Sequence, residues 1–445
     1  MVATARKMMS ESTRVPTWIH RYLIPLTFIT LCPPTVFIFW YTATELNGSF
    51  QAFWSLVFNQ GLFTTIAKIW FPVFFGSKAA WKILAIFAAF QLLLMKIVPG
   101  KPFAGPITPK GNIPIYKANG FPCFLITFIT FFLATFKFHL FSPTILYDNL
   151  GPILGALNCF SLLFCLFLYF KGKMAPSSTD SGASGYRLFD YYWGTELYPR
   201  IYGWDVKMFT NCRFGMMGWP LLLLSYAAKQ EELYGISDAM LVAVALQLIY
   251  VGKFFVWETG YLRSLDIMHD RAGFMICWGC LVWLPCIYTS PALYLVHHPN
   301  ELGTPLALAI FIAGGASIMI NYLADRQRQQ VRAKNGACLV WGSKPSLIHA
   351  AYQTQSGETK QTLLLASGWW GLSRHFHYIP EVIAAFFWSL PALFGNFLPY
   401  FYVIFLSILL VDRAFRHDRR CGDKYGRYWN EYCEKVPYKI VPYIF

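Results

Sequence analysis

Between Val382 and Val411 the chain runs 30 residues without a charged side chain. As one helix at ~1.5 Å per residue this segment would reach about 45 Å, well beyond a hydrocarbon core of ~30 Å. It must therefore tilt strongly or break. Pro391, Gly395, Asn396 and Pro399 lie near its middle, where proline removes backbone donors and glycine relaxes the dihedrals. We expect two short helices joined by a bend, a hairpin whose ends face the same side. Such a hairpin would set the polar run Gly368–Tyr378, reading GWWGLSRHFHY, beside the basic tail DRAFRHDRRCGDKYGRYWNEY that opens at Asp412. A pocket open to the cytosol follows, in which tail cations and Arg374 could meet an anionic ligand.

The rest of the chain is of the same class. It is 56% hydrophobic and only 13% charged, which excludes an ordinary soluble domain and predicts an all-α polytopic membrane protein. Uncharged windows occur at Tyr22–Thr44, Ala118–Phe136, Asn149–Phe170, Ala272–Asn300 and Leu302–Ala324. Less clean candidates lie around Phe50–Phe75, Ala79–Leu94, Phe214–Ala228 and Ala239–Val256. With the terminal hairpin, about nine or ten membrane elements are expected. The chain divides into a cytosolic segment 1–21, front helices 22–171, a loop region 172–213 and a C-terminal half 214–445. Within the loop region, the Ser/Gly-rich stretch Lys173–Gly185 reads as flexible.

A net charge of +15 would suit nucleic acid, but here positive-inside topology explains it better. Arg6, Lys7, Arg14 and Arg21 precede the first window, and Arg326, Arg328, Arg332 and Lys334 fill the last long loop, so both termini and that loop are expected in the cytosol. The first window lacks a cleavage pattern and reads as a retained anchor. Eleven cysteines without a CxxC pair read as apolar fillers, with neither disulfides nor a zinc site expected. Gly314-Gly315 reads as helix packing, and no GxGxxG supports a Rossmann domain.

Three polar constellations stand out. Tyr250, Phe254 and Glu258 follow at four-residue spacing, which on one helix would aim a phenol and a carboxyl into one cavity. An interfacial anchor and a loop acid are the plain alternative, although ionisable groups in membrane segments favour function. Asp266 and Asp270, with His269 between them, suit a divalent cation or a proton relay. Without HExxH, hydrogen bonding to loop backbone is the better reading, and no metal is expected. Arg328 and Arg332, one turn apart, form a candidate phosphate clamp if Arg374, Arg413, Arg416 and Lys424 gather on the same side, and are otherwise ordinary edge cations.

The runs GWWGLSRHFHY, LPYFYVIFLSILLVDR and CGDKYGRYWNEYCEKVPYKIVPYIF resemble the sterol reductase family, which includes the delta-14 reductases and the membrane domain of the lamin B receptor. WETGYLRSLDIMHDRAGF, AAKQEELYG, GTELYPRIYGWDVK, FSPTILYDNLGP and GPITPKG extend the resemblance forward to about residue 100. Arg374-His375-Phe376-His377-Tyr378 stands where delta-14 members have RHPNY, and AAKQEELYG is similar to the delta-7 branch. Lys253 and Cys280, where animal relatives carry Asp, resemble the plant-type form.

The resemblance implies an endoplasmic-reticulum enzyme that uses NADPH to reduce the 7,8 double bond of a 5,7-diene sterol taken from the bilayer. Other enzymes of sterol biosynthesis are the partners it would suggest. By the same resemblance, NADPH contacts fall on Arg328, Arg332, Leu365, Trp370, His377, Tyr378, Cys421, Gly422, Asp423, Lys424, Tyr425 and Tyr432. Arg328 replaces a Lys common in animal members, and His417 stands where relatives carry Asp, the acid here being the neighbouring Asp418. Hydride cannot attack an unactivated alkene, so an acid must protonate the diene first. Tyr250 is the candidate donor, with Glu258 and Asp266 as candidates to polarise it or renew its proton. Delta-14 reduction is the alternative on the same machinery. A methyltransferase related to the isoprenylcysteine enzymes is disfavoured by the front-half motifs. A non-catalytic sterol-binding scaffold is the other alternative, favoured by His417 although no stretch before the first window reads as a soluble front domain, and a transporter lacks repeat symmetry.

Overall fold

The computed structural model describes residues 16–445 apart from 109, 354–356 and 358. Most of the 1–21 segment, including Arg6, Lys7 and Arg14, lies outside the described residues. Among those described, eight helices are long and apolar enough to cross a membrane: Ile19–Thr44, Lys78–Ile97, Gly120–Lys137, Leu150–Met174, Asp238–Val256, Phe274–Leu295, Thr304–Ala333 and Leu398–Tyr425. Two shorter apolar helices, Leu62–Val73 and Tyr378–Ala392, accompany them. The Phe50–Phe75 window does not form one span, because Gly61 at φ 84° ends one helix at Gln60 and starts another at Leu62. The Phe214–Ala228 window continues to Tyr234 and ends in the polar turn Lys229–Glu232, and a wide π-helical stretch, Met208–Gly215, leads into it.

Phe274–Leu295 is the most enclosed of the long helices, packed against Leu150–Met174 and Met208–Gly215. The site-bearing half is built on three others. Thr304–Ala333 packs along Tyr378–Ser389, and both lie against Asp238–Val256. Gly314 makes this possible, since a Cβ there would stand 2.6 Å from Leu246 and 3.1 Å from Phe387, on the other two helices. A small residue at the crossing lets backbones approach where no hydrophobic effect drives helices together.

The uncharged terminal segment breaks where its sequence requires. Tyr378–Ser389 ends in a short turn at Leu390–Ala392, and a second turn at Leu398–Tyr400 leads into Phe401–Tyr425. Asn396 Oδ1 accepts from Leu398 N at 2.9 Å, while its amide donates to Gly48 O at 2.8 Å, satisfying polar groups within the break.

Residues 172–213 are more structured than a loop region. They contain the Arg187–Trp193 helix, a two-stranded turn pairing Arg200–Ile201 with Trp204–Asp205, and the start of the π-helical stretch. Glu196 organises the Ser/Gly-rich part. Its buried carboxylate pairs with Lys171 at 2.8 Å and accepts from Ser177 N at 2.5 Å, while Asp180 accepts from Asn112 at 2.6 Å. A second unexpected element is the antiparallel hairpin Leu347–Gln353 with Thr359–Leu365, which packs against the C-terminal helix Arg427–Lys435. All eleven cysteines are unpaired.

Glu258 does not share a face with Tyr250. The Asp238–Val256 helix stops at Trp257, whose φ of −107° and ψ of 26° leave the helical track, so Glu258 opens a separate turn. Its buried carboxylate pairs with Arg213 and accepts from Gly120 N at 2.7 Å, and Arg213 also donates to Asn119 Oδ1 at 2.9 Å. Removing one partner of such a pair leaves a bare charge in an apolar interior, which costs about 3–5 kcal/mol. Glu258→Ala is therefore expected to lower the thermal unfolding midpoint markedly in detergent, measured by intrinsic fluorescence, with Glu258→Gln intermediate.

Candidate active site

The run Gly368–Tyr378 begins with a short turn of helix and then extends. Trp369 N donates to Gln327 Oε1 at 3.0 Å and Trp370 Nε1 to Ala324 O at 2.8 Å, anchoring both tryptophans to the Thr304–Ala333 helix. Ser373, Arg374 and His375 then run beside the chain end. Arg374 N donates to Tyr438 O at 3.0 Å, His375 N to Lys439 O at 2.9 Å, and Ser373 Oγ to Ile440 O at 2.5 Å.

Arg374 thus turns its terminal nitrogens toward the chain end. Its guanidinium donates to Val436 O at 2.8 Å, Pro437 O at 2.9 Å and Asp418 at 3.2 Å. Asp418 also meets His375 at 3.4 Å and Lys439 at 3.4 Å. His375, His417 and Asp418 are the one group among the described residues with ligand atoms close enough for a metal ion. The positive charges of Arg374 and Lys439 already on Asp418 oppose a further cation there. His417 instead packs edge-on to His375 at 4.9 Å and touches Cys421 Sγ at 3.6 Å.

The other expected clamp cations divide the same way. Arg413 pairs with Asp266 at 2.6 Å, and Arg416 with Asp270 at 3.0 Å and Asp412 at 2.9 Å. Asp266 thus meets Arg413 and makes no hydrogen bond to Tyr250 among the described residues. Lys207 caps the same segment by donating to the carbonyls of Asp266, Ile267 and Asp270 at 2.7–2.9 Å. Burial, followed by the charges of Arg420 and Lys207, pushes His269 down to about 2.

A different set stays open toward one another. Arg328 pairs with Asp325 at 3.1 Å and lies 3.9 Å above the Trp370 ring, a cation–π arrangement. Tyr432 donates its hydroxyl to Trp370 O at 3.1 Å. His377 lies 4.9 Å from Trp370 and 4.3 Å from Tyr378, which stacks on His375 at 5.2 Å. Leu365 packs in the same cluster as Trp370, Val331 and Val340. Arg332 keeps solvent contact and donates to Leu363 O at 3.2 Å, so the hairpin borders this site. Cys421 through Tyr425 form the last turn of Phe401–Tyr425, where Cys421 is buried, Gly422 half-buried and Asp423 exposed. Lys424 lies 3.9 Å over the Tyr352 ring, and Tyr425 meets that ring edge-on at 5.6 Å. His377 Nδ1 is buried without a hydrogen-bond partner, and burial together with Arg328 holds that imidazole well below its ordinary value.

Deeper in the helices, Tyr250 donates its hydroxyl to Glu381 Oε1. Sequence reasoning missed this acid, although it is the sole charged residue between Tyr378 and Asp412 and lies one turn beyond Tyr378. Aromatic rings surround the phenol, Trp388 at 5.2 Å and Trp219 at 5.8 Å, with Tyr288 and Tyr402 tilted against each other nearby at 4.6 Å. Lys253 Nζ lies 4.6 Å from the Tyr250 ring and donates to Asn321 Oδ1 at 2.6 Å, whose amide donates to His377 O at 2.9 Å. One polar chain thus links the phenol to the cation-and-aromatic cluster around Trp370.

Two outcomes follow from this geometry. Arg374→Ala is expected to raise hydrogen exchange at Val436–Ile440 by about tenfold or more, measured by mass spectrometry, because the backbone it holds loses its donor. For His269, the folded chain resists a proton that the unfolded chain accepts near the ordinary value of 6.5. Stability is then lost as pH falls below about 6.5, by about 2 kcal/mol at pH 5. A melt at pH 7 and pH 5 checks this, His269→Gln showing the smaller drop.

The sequence matches the Ergosterol biosynthesis ERG4/ERG24 family over residues 25–445. It is 53% identical, over 98% of its length, to a 7-dehydrocholesterol reductase of Arabidopsis thaliana that it covers completely. A 7-dehydrocholesterol reductase of Danio rerio is 38% identical over 86% of this chain and 83% of that protein. A Delta(14)-sterol reductase of Methylotuvimicrobium alcaliphilum is 37% identical over 94% of each. Matched along nearly its whole length, the chain belongs to the ERG4/ERG24 family of sterol reductases.

Proposed function

We propose that this sterol reductase uses NADPH to reduce the 7,8 double bond of 5,7-diene sterols drawn from the bilayer of the endoplasmic reticulum. The observation that carries the reading is Tyr250, a phenol set among Trp219, Trp388, Tyr288 and Tyr402, whose ring lies under Lys253, itself hydrogen-bonded through Asn321 to His377. The 53% identity to the Arabidopsis thaliana 7-dehydrocholesterol reductase supports the choice of diene.

The residues fit the cofactor. The unpartnered Nδ1 of His377, flanked by Trp370 and Tyr378, leaves a buried polar atom for a ligand amide. Arg332 and Lys424, with no ion pair among the described residues, and Arg328, held by Asp325 over the Trp370 ring, would hold phosphate, and Leu365, Cys421 through Tyr425 and Tyr432 would line the remainder. NADPH, when bound, supplies the hydride. Tyr250 protonates the diene, and the surrounding rings stabilise the resulting cation through their quadrupoles while excluding water. The Methylotuvimicrobium alcaliphilum relative, named for delta-14 reduction, favours a second reading in which the same machinery takes the 14,15 double bond.

Membranes expressing the chain, supplied with 7-dehydrocholesterol and NADPH, are expected to lose the ultraviolet absorption of the 5,7-diene. Arg332→Ala should slow that loss at least ~10-fold at limiting NADPH, the size of one charge-assisted phosphate contact. Tyr250→Phe should cut turnover by about 100-fold or more with sterol affinity unchanged. Loss of a delta-14 diene alone would select the second reading, and loss of neither would leave a sterol-binding scaffold.

A further inference from the structure

We propose that Glu381 supplies the proton that Tyr250 delivers, the two side chains forming a donor pair inside the helix bundle. This rests on the reading of Tyr250 as the acid. The buried carboxylates of this half meet arginine, Glu258 with Arg213, Asp266 with Arg413, Asp270 with Arg416 and Asp325 with Arg328, and the half-buried Asp418 meets Arg374. Glu381 forms no ion pair among the described residues, and its hydrogen-bond partner is the neutral Tyr250 hydroxyl. An ionisable group placed in a membrane segment without a counter-charge marks a functional position.

The pairing also answers an electrostatic objection to Tyr250 as a lone acid. A phenol that gives up its proton beside an ionised carboxylate would leave two negative charges in contact, a costly product in a low-dielectric cavity. With a proton on Glu381 the transfer leaves only one. The Tyr250 O–H bond breaks as the diene π pair forms a new C–H bond. The phenolate oxygen takes the Glu381 proton, and the carboxylate remains. The hydride named above adds to the sterol cation, so one proton and one hydride enter the alkene, and solvent water later returns a proton to Glu381.

The surroundings suit a charge that appears on Glu381 only after transfer. The groups near it are Tyr250 from Asp238–Val256, Asp325 from Thr304–Ala333, Tyr288 from the Phe274–Tyr288 stretch and Tyr402 from Phe401–Tyr425. Lys253, over the Tyr250 ring, donates to Asn321, and Arg413 pairs with Asp266, so neither cation pairs with Glu381. Glu381 acts through Tyr250 and is a positioning residue. Its place one turn beyond Tyr378 couples the acid to the element that carries His377 and Tyr378.

The test compares Glu381→Gln and Glu381→Asp in full-length chain in membranes. Gln keeps an acceptor for Tyr250 but has no proton to give. Turnover is expected to fall about 100-fold with KM for sterol and NADPH within about twofold, and Asp should recover at least ~10-fold of that loss. The decline of turnover toward high pH in the parent should be missing from the residual Gln rate. An infrared difference spectrum of sterol-free parent minus Glu381→Gln should contain the carbonyl band of a protonated carboxyl, a readout that needs no turnover. A Gln variant near parental rate, an unrescued loss with an unchanged pH profile, or a carboxylate band in place of the carboxyl band overturns the proposal. If Tyr250→Phe is inactive while Glu381→Gln is active, only the role of Glu381 fails. If Tyr250→Phe is fully active, the reading of Tyr250 as acid fails with it.

Discussion

A charge taken out of water must meet its opposite, and arginine–carboxylate pairs do this throughout the described structure. Arg213 and Glu258 join the π-helical stretch to the turn after Asp238–Val256, and Asn119 and Gly120 bring the front helices to the same point. Arg413 with Asp266 and Arg416 with Asp270 fasten the last long helix to the segment around residues 265–270. Arg374 with Asp418 holds the chain end. Each pair fixes the relative position of elements whose apolar faces, lying against lipid, would slide with little penalty. The pairs add specificity more than net stability, since desolvation cancels much of their attraction.

That requirement also decides what the site contains. Basic residues that look equivalent in sequence separate into Arg374, Arg413 and Arg416, which pair with carboxylates away from Trp370, Arg328, which pairs with Asp325 over the Trp370 ring, and Arg332 and Lys424, which border the Leu347–Gln353 and Thr359–Leu365 hairpin. Arg328 is held by Asp325 while its guanidinium face covers an indole, which orients the cation without neutralising the site. The carboxylates sort similarly. Glu258 and Asp266, set close to Tyr250 in sequence, answer arginines, whereas Glu381, 131 residues away, meets the phenol.

Helix-scale features were legible because the membrane makes them so. The hydrophobic windows, the break around Pro391 to Pro399, the packing role of Gly314 and the unpaired cysteines all follow from local composition and bilayer thickness. The Leu347–Leu365 hairpin was not legible, since its short alternation sits in a polar loop with no membrane constraint to mark it. The order within residues 172–213 was hidden for a related reason. Glu196 organises that stretch through Lys171 and Ser177, contacts that a Ser/Gly-rich composition does not announce.

By itself, the sequence determined the class of the chain, a helical membrane protein whose polar residues collect at the edge of an uncharged segment, and its motifs pointed to a reductive sterol chemistry. Only the tertiary structure decided which ionisable side chains face one another. Periodicity extends a face only while one helix lasts, and the turn at Trp257 ends the register between Tyr250 and Glu258. Beyond that point partners are chosen by helix crossings, where the cost of an unpaired charge outweighs proximity along the chain.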